Sequence, residues 1–282
     1  MGVDYSKIFG GALRYAFSID KLLPMFALYS AMLLSLVFAA GAMSNAVGTG
    51  TNAVALSLIG AFAVVGIIFL VILFAGIFLH IAYVHNAFRH AKGSKEKLSA
   101  SYDYAKSKYL KALGAVAIVY AVSLAAGIAL FPLSLILALD SSPAAAIAKF
   151  IIENGISVIV SMFLLLYYPI IVLESKGLID SLKESFRTFM SNKKSVFLYL
   201  IIAGLIAGAI MAAIVALVIA GFLASVPDGT DMTSIIAALN TALPYFALLS
   251  LPVAALMAYM QVFYMASLTF LYAQLRGTKG KK

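Results

Sequence analysis

The sequence predicts an all-α integral membrane protein of about six transmembrane helices arranged as three hairpins, each preceded by a short cytoplasmic interfacial amphipathic helix. Three observations predict it. Apolar residues make up 64% of the 282 positions and charged residues 11%, where soluble domains sit near one half and one quarter. Several windows of about 18 or more residues carry no charge, which is long enough to cross a hydrocarbon core. Nineteen of the twenty Lys and Arg fall in four stretches: the N-terminal segment, residues 86–111, residues 174–195 and the tail, with Lys149 apart. The other connections carry Asp140, Glu153, Asp228 and Asp231. By the positive-inside rule this alternation puts both termini in the cytoplasm of a plasma-membrane protein. The net charge of +9 then reads as topology and contact with anionic headgroups. Nucleic acid is excluded as a partner, because no basic, aromatic-interleaved soluble module exists. With no Cys, disulfides and thiolate sites are excluded as well.

Each element has its own justification. Residues 1–20 place Phe9, Leu13, Ala16 and Phe17 on one stripe with Lys7 and Arg14 off it, an interfacial amphipathic helix over about residues 5–19. The first span runs from about Leu22 to Ala42, and the Gly/Ser/Thr/Asn-rich 43–52 is a short outer turn. The second, about Ala53–His85, is longer than a bilayer needs, so it either tilts and bends near Gly66 or Gly76 or, as its polar end suits, projects into the cytoplasm. A basic loop and a second short amphipathic helix, about 97–109, precede a third span over Leu110–Leu139, kinked at Pro132. Asp140–Pro143 is an outer turn with Pro143 at a helix start. The fourth span is about Ile156–Leu173. A third amphipathic helix, about 178–192, leads to a fifth span over Val196–Ala224. The sixth, about Ile235–Leu275, bends at Pro244 and Pro252.

The chain reads as a single membrane domain, 1–282, with internal repeats at about 1–90, 91–176 and 177–282. Ala16, Ala105 and Ser185 match as the small residue of each short helix; Lys21, Lys111 and Lys193/Lys194 mark the start of the following span. The alternative is that any polytopic protein has basic inner loops. The third copy is the clearest, with Pro169, Glu174, Gly177, Ser181, Leu182, Lys183 and Ser185 in PIIVLESKGLIDSLKES. This stretch resembles a broad prokaryotic group of uncharacterised six-helix membrane proteins. That group includes archaeal domains of unknown function and the membrane domain attached to some glycerophosphodiester phosphodiesterases. The resemblance covers about 30 residues; it implies a bundle architecture and carries no catalytic residue over.

Chemistry-bearing residues are few. His80, His85 and His90 are five apart, which turns successive rings about 140° around a helix, so no one-face metal pair forms. Asn86, Arg89 and His90 share a face just beyond the second span, suited either to a lipid phosphate or to a solvated helix end. Glu174, at the inner end of the fourth span, is a candidate latch to Arg89 or an inner Lys, or a proton relay. Gln261 is an amide at membrane depth and needs a partner or water; Tyr264 shares its face. Together they are the candidate intramembrane polar pair. Gly204, Gly208 and Ala212 form a small-residue ladder for internal packing or self-association. Tyr83, Tyr167, Tyr168 and Tyr272 read as an aromatic belt.

No nucleophile–base pair, paired carboxylates or phosphate-cradling loop emerges, so no catalytic, cofactor-binding or metal residue is assigned and the chain reads as not an enzyme. The expected function is a lipid- or partner-interacting bundle, a scaffold or complex subunit. Its candidate contacts are Arg89, Lys106, Lys108, Lys183 and Arg187, and its partners anionic lipids, other membrane proteins or a second copy. The alternative is a permease for a small or amphiphilic molecule, with its path near Gln261 and Tyr264.

Overall fold

The computed structural model describes residues 3–47, 51–139, 142–174, 176–223 and 232–279. The described residues form helices α1 (Tyr5–Ala16), α2 (Ile19–Val47), α3 (Thr51–Ala91), α4 (Tyr102–Leu139), α5 (Pro143–Leu164), α6 (Tyr167–Leu173), α7 (Leu178–Ser191), α8 (Lys193–Leu223) and α9 (Met232–Lys279), with a 3-10 turn at Leu98–Ser101. Five stretches are long and apolar enough to cross a membrane: Ile19–Ala42, Ile59–Ala91, Leu98–Leu133, Lys193–Ala220 and Thr241–Gly277. The expected outer turns at 48–50 and 140–141 and the outer loop at 224–231 lie outside the described residues, as does the end of the tail.

The fourth expected span is discontinuous. Its apolar run is divided between α5 and α6 at Leu165–Leu166. Pro169 is the cause, since it has no N–H to give to the carbonyl of Leu165 and its ring clashes with that carbonyl. The ladder resumes at once, with the Ile170 N–H on Leu166 O at 3.1 Å.

The second amphipathic helix is not a separate element. Residues 102–139 form one helix, because no Gly or Pro interrupts Tyr102–Leu113 and Ala, Lys and Leu favour continuation. Lys106 and Lys108 therefore ride on the first turns of a long helix. The other two short helices lie at 5–16 and 178–191, close to their expected ranges.

In α1 the Asp4 carboxylate caps the Lys7 N–H at 3.1 Å. The buried face is Ile8, Phe9, Ala12, Tyr15 and Ala16, whereas Leu13 and Phe17 of the expected stripe are exposed. The stripe shifts because α1 packs on the end of α9 and does not simply rest on headgroups. Phe9 stacks on Tyr199 at 5.5 Å. At Gly11 a Cβ would stand 2.8 Å from the Phe270 ring, so only glycine admits this approach. In α7, Ser181, Ser185 and Thr188 are buried, three small residues at i, i+4 and i+7 on one face. The Ser185 hydroxyl donates to Phe163 O at 2.7 Å, in the last turn of α5, where helical carbonyls lack a partner of their own.

α9 is the hub, packing against α1, α2, α3 and α8; chain neighbours α2 and α3, and α4 and α5, also pack together. The apolar core is concentrated where the end of α3, the start of α4, α6, the start of α8 and the end of α9 converge. Tyr104 donates to Val172 O, the Tyr199 and Ser267 hydroxyls meet at 2.9 Å, and Tyr83 donates to Lys21 O. These tie the basic ends of the helices into one tightly packed end. Farther along, Phe62, Ile67, Leu124, Ile128, Leu205 and Leu248 are all exposed, a continuous apolar girdle suited to lipid.

Two expectations fail here. Tyr83, Tyr167 and Tyr272 are buried core residues and not an exposed belt. Gly204, Gly208 and Ala212 face outward, and a Cβ at either glycine would meet nothing within 4 Å. The ladder therefore does not serve internal packing; an outward face of small residues is the one that self-association would use.

Candidate functional site

The polar residues gather at the packed basic end. Glu174 caps α6 and sits among three elements: its own, α7 and the end of α9. Its Oε1 accepts hydrogen bonds from Tyr272 and from the Arg276 guanidinium. Lys176 Nζ lies 2.9 Å from Glu174 Oε2 and 3.5 Å from Glu184 Oε2. Arg276 Nη1 lies 3.2 Å from Glu184 Oε1, and Lys111 donates to the Glu174 carbonyl at 3.4 Å. Two carboxylates and two cations thus form a closed ring in which each touches both opposites. Burial alone raises the Glu174 carboxyl, but hydrogen bonds from Tyr272 and Lys176 and the adjacent Arg276 outweigh it and hold it below the usual carboxylate range.

Glu174 is held by Lys176, an inner Lys as one of its two expected partners, and by Arg276, which was not expected; Arg89 pairs elsewhere. Sequence reading missed Glu184 and Arg276. The signal for Arg276 was its i,i+4 spacing from Tyr272, which brings both to one face at the end of the last span.

Arg89 pairs instead with Glu96, closing the loop after α3. Asn86 is buried and anchors the same loop, its amide donating to Glu96 O at 3.3 Å and Lys97 O at 3.0 Å. Its Oδ1 accepts from the Tyr15 hydroxyl at 2.9 Å, which ties the loop to α1. His85 stacks on Tyr104 with centroids 3.9 Å apart and bonds Ser101 Oγ at 3.0 Å. His90 stacks on Phe270 at 6.3 Å. The Asn86–Arg89–His90 face is therefore a structural clamp, engaged within the protein.

The remaining candidate cations do face outward. Lys106, Lys183 and Arg187 are exposed and Lys108 is half-buried. Lys106 meets Asp103 at 3.2 Å in a mostly solvated pair, which costs little to exchange for another partner. Lys108 lies 5.8 Å from the Tyr104 ring centroid.

Gln261 has found a partner at membrane depth. Its Nε2 is 2.8 Å from His80 Nε2. An amide nitrogen only donates, so this imidazole nitrogen accepts and the ring is neutral with its proton on Nδ1. His80 and Tyr264 both line a cavity of about 640 Å³ between α3, α4, the α5–α6 junction and α9. Tyr168, on the same wall, donates to Ile77 O at 3.3 Å. Of the intramembrane pair only Tyr264 lines the cavity; Gln261 reaches it through its bond to His80, and the α6 tyrosines add to its polarity.

Comparison with known proteins finds no curated protein and no solved structure that matches the chain. A family model does match over residues 22–275, from the first span to the end of the core-forming part of α9. The chain belongs to the DUF7847 family, a domain of unknown function.

Proposed function

We propose that this chain is a non-enzymatic plasma-membrane bundle, with both termini cytoplasmic, that holds anionic lipid headgroups or a partner protein against its basic end. The carrying observation is that Lys106, Lys108, Lys183 and Arg187 stand on the outside of a tightly packed end, beside the exposed Arg14, Lys95, Lys97, Lys193 and Lys194, while Lys176 and Arg276 are engaged with Glu174 and Glu184. A packed platform keeps cations in place without ordering them anew on binding. The shared side of the termini has support in the Gln274 side chain, which bonds the Asp4 backbone at 2.8 and 3.1 Å. Three repeats accord with the burial of Ala16, Ala105 and Ser185, all at 0% exposure.

The test replaces Lys106, Lys108, Lys183 and Arg187 together with Gln and titrates anionic phospholipid by native mass spectrometry. Each cation near an anionic surface contributes about 1 kcal/mol, so the apparent affinity should fall by about two to three orders of magnitude, with the thermal midpoint unchanged. Retention of lipid and of co-purified proteins at the original level would remove the proposal's main support.

One observation favours a second reading, a permease for a small or amphiphilic molecule: the cavity beside the His80–Gln261 pair. Gln261→Leu removes the pair's donor and should depress flux in reconstituted vesicles. Flux that is unaltered by it argues against a path at this place.

A further inference from the structure

We propose that the cavity between α3, α4, the α5–α6 junction and α9 binds a long-chain amphiphile with an uncharged oxygen headgroup, such as a long-chain alcohol, its head toward Tyr167. This does not rest on the basic-end reading above, since none of Lys106, Lys108, Lys183 and Arg187 lines the cavity.

Size and shape come first. The volume is about 640 Å³, within the roughly 300–1,000 Å³ of small-ligand sites. Its wall on α4 runs from Val116 to Leu130, about 21 Å of helix at 1.5 Å per residue. That exceeds half of a hydrocarbon core of about 30 Å, so the space suits a chain lying along the helices.

The polarity is arranged by height. His80, Tyr167 and Tyr168 stand on elements whose polar ends belong to the basic side of the bundle. Farther from that side the wall on α4 and α5 is mainly Val119, Ala126, Leu130, Val160 and Leu164, with Tyr120 and Ser123 as its polar members. An apolar tail therefore points toward the far side and a polar head toward the basic end.

The head must be uncharged. Among the described residues no Lys, Arg, Asp or Glu lines the cavity, and an ionised group there would lack a counter-charge. A phosphate or carboxylate head is disfavoured for that reason.

Tyr167 specifies the recognition. It is 1% exposed, and its hydroxyl is buried without a hydrogen-bond partner. Its neighbours are committed elsewhere, Tyr168 to Ile77 O and His80 Nε2 to Gln261. An O–H inside a bilayer has no bulk water to satisfy it, and a ligand hydroxyl or carbonyl oxygen would accept it. Tyr167 flanks the break that Pro169 makes in the fourth apolar run, at the first residue of α6. A lateral way in lies along α4, where Tyr120 is 65% exposed and a Cβ on Gly127 would meet nothing within 4 Å.

The experiment uses the full chain in lipid nanodiscs with photoreactive long-chain probes: an alcohol, the matching alkane, and the matching carboxylate. The alcohol should label the α4 and α5–α6 walls. Tyr167→Phe keeps the ring and removes the donor, so alcohol labelling there should fall by about threefold to tenfold while alkane labelling holds. Gly127→Leu fills open space and should lower labelling by both. The four-cation variant should label like the parent, which separates this site from the basic end. Equal labelling by alcohol and alkane, unaffected by Tyr167→Phe, means bulk lipid only and overturns the proposal. Preferential labelling by the carboxylate, or labelling confined to the outer girdle at Leu205 and Leu248, overturns it too. Should Tyr167→Phe not fold, Gly127→Leu and the three-probe ranking still decide.

Discussion

Replacing Asn86 with leucine is expected to lower stability by about 3–5 kcal/mol, because it strips three buried or part-buried hydrogen bonds at once and leaves every partner behind. The side chain is 2% exposed and bonds Tyr15 Oη, Glu96 O and Lys97 O. Each orphaned buried polar group costs about 1–3 kcal/mol, and the two loop carbonyls, nearer solvent, recover part of theirs through water. The loss should show as a lower thermal midpoint in detergent and as faster proteolysis after residues 92–97. α1 should loosen as well, since the Tyr15 hydroxyl is its link to α3. The control is Tyr15→Phe: on the Asn86→Leu background it removes the orphaned donor, so the double variant should be less destabilised than the sum of the singles. Strict additivity would show that Tyr15 and Asn86 do not share an interaction.

Much of the fold was legible because hydropathy and charge report position along the membrane normal. The length of each apolar run and the basic connections between them placed α1, α2, α3, α7, α8 and α9 within about six residues at either end. Lateral position was not legible. Lipid is as apolar as a protein core, so nothing in the pattern of α8 told the buried Val196, Tyr199 and Ala203 from the exposed Gly204 and Gly208. The same blindness turned buried tyrosines into an interfacial belt. The continuity of α4 was missed because amphipathicity over 97–109 was allowed to outweigh the lack of any breaker before Leu110. At the site, Gln261 could be flagged by its depth, and His80 could not be matched to it across 181 positions. Glu174 was found for a similar reason: a carboxylate at the end of an apolar run must be engaged, although its partners depend on tertiary packing.

Replacing Arg276 with methionine should cost about 2–3 kcal/mol and make the protein more sensitive to acid. Methionine keeps much of the apolar stem and removes the guanidinium, which leaves Lys176 as the one cation of the ring for Glu174 and Glu184. Their side chains are only 18% and 15% exposed, so the mutual repulsion is partly desolvated. Lys176 is 38% exposed and its pairing is screened by solvent, which keeps the figure below the roughly 3–5 kcal/mol of a fully buried pair. The pH dependence follows from the direction of the Glu174 shift. Its charged form is favoured in the folded state, so its contribution is fully present above the ordinary carboxyl value of about 4.3. That contribution is lost as pH falls through the lower folded value. The parent should keep its thermal midpoint from neutral pH down to the carboxylate range and lose it below. With Arg276→Met, one of the causes holding the carboxyl down is gone and a like charge is unbalanced, so the decline should begin at higher pH. Adding Glu184→Gln relieves the repulsion and should restore part of the midpoint at neutral pH. A neutral-pH midpoint equal to the parent's, with an unmoved acid limb, would mean that the ring does not fasten α9 to the α6–α7 corner.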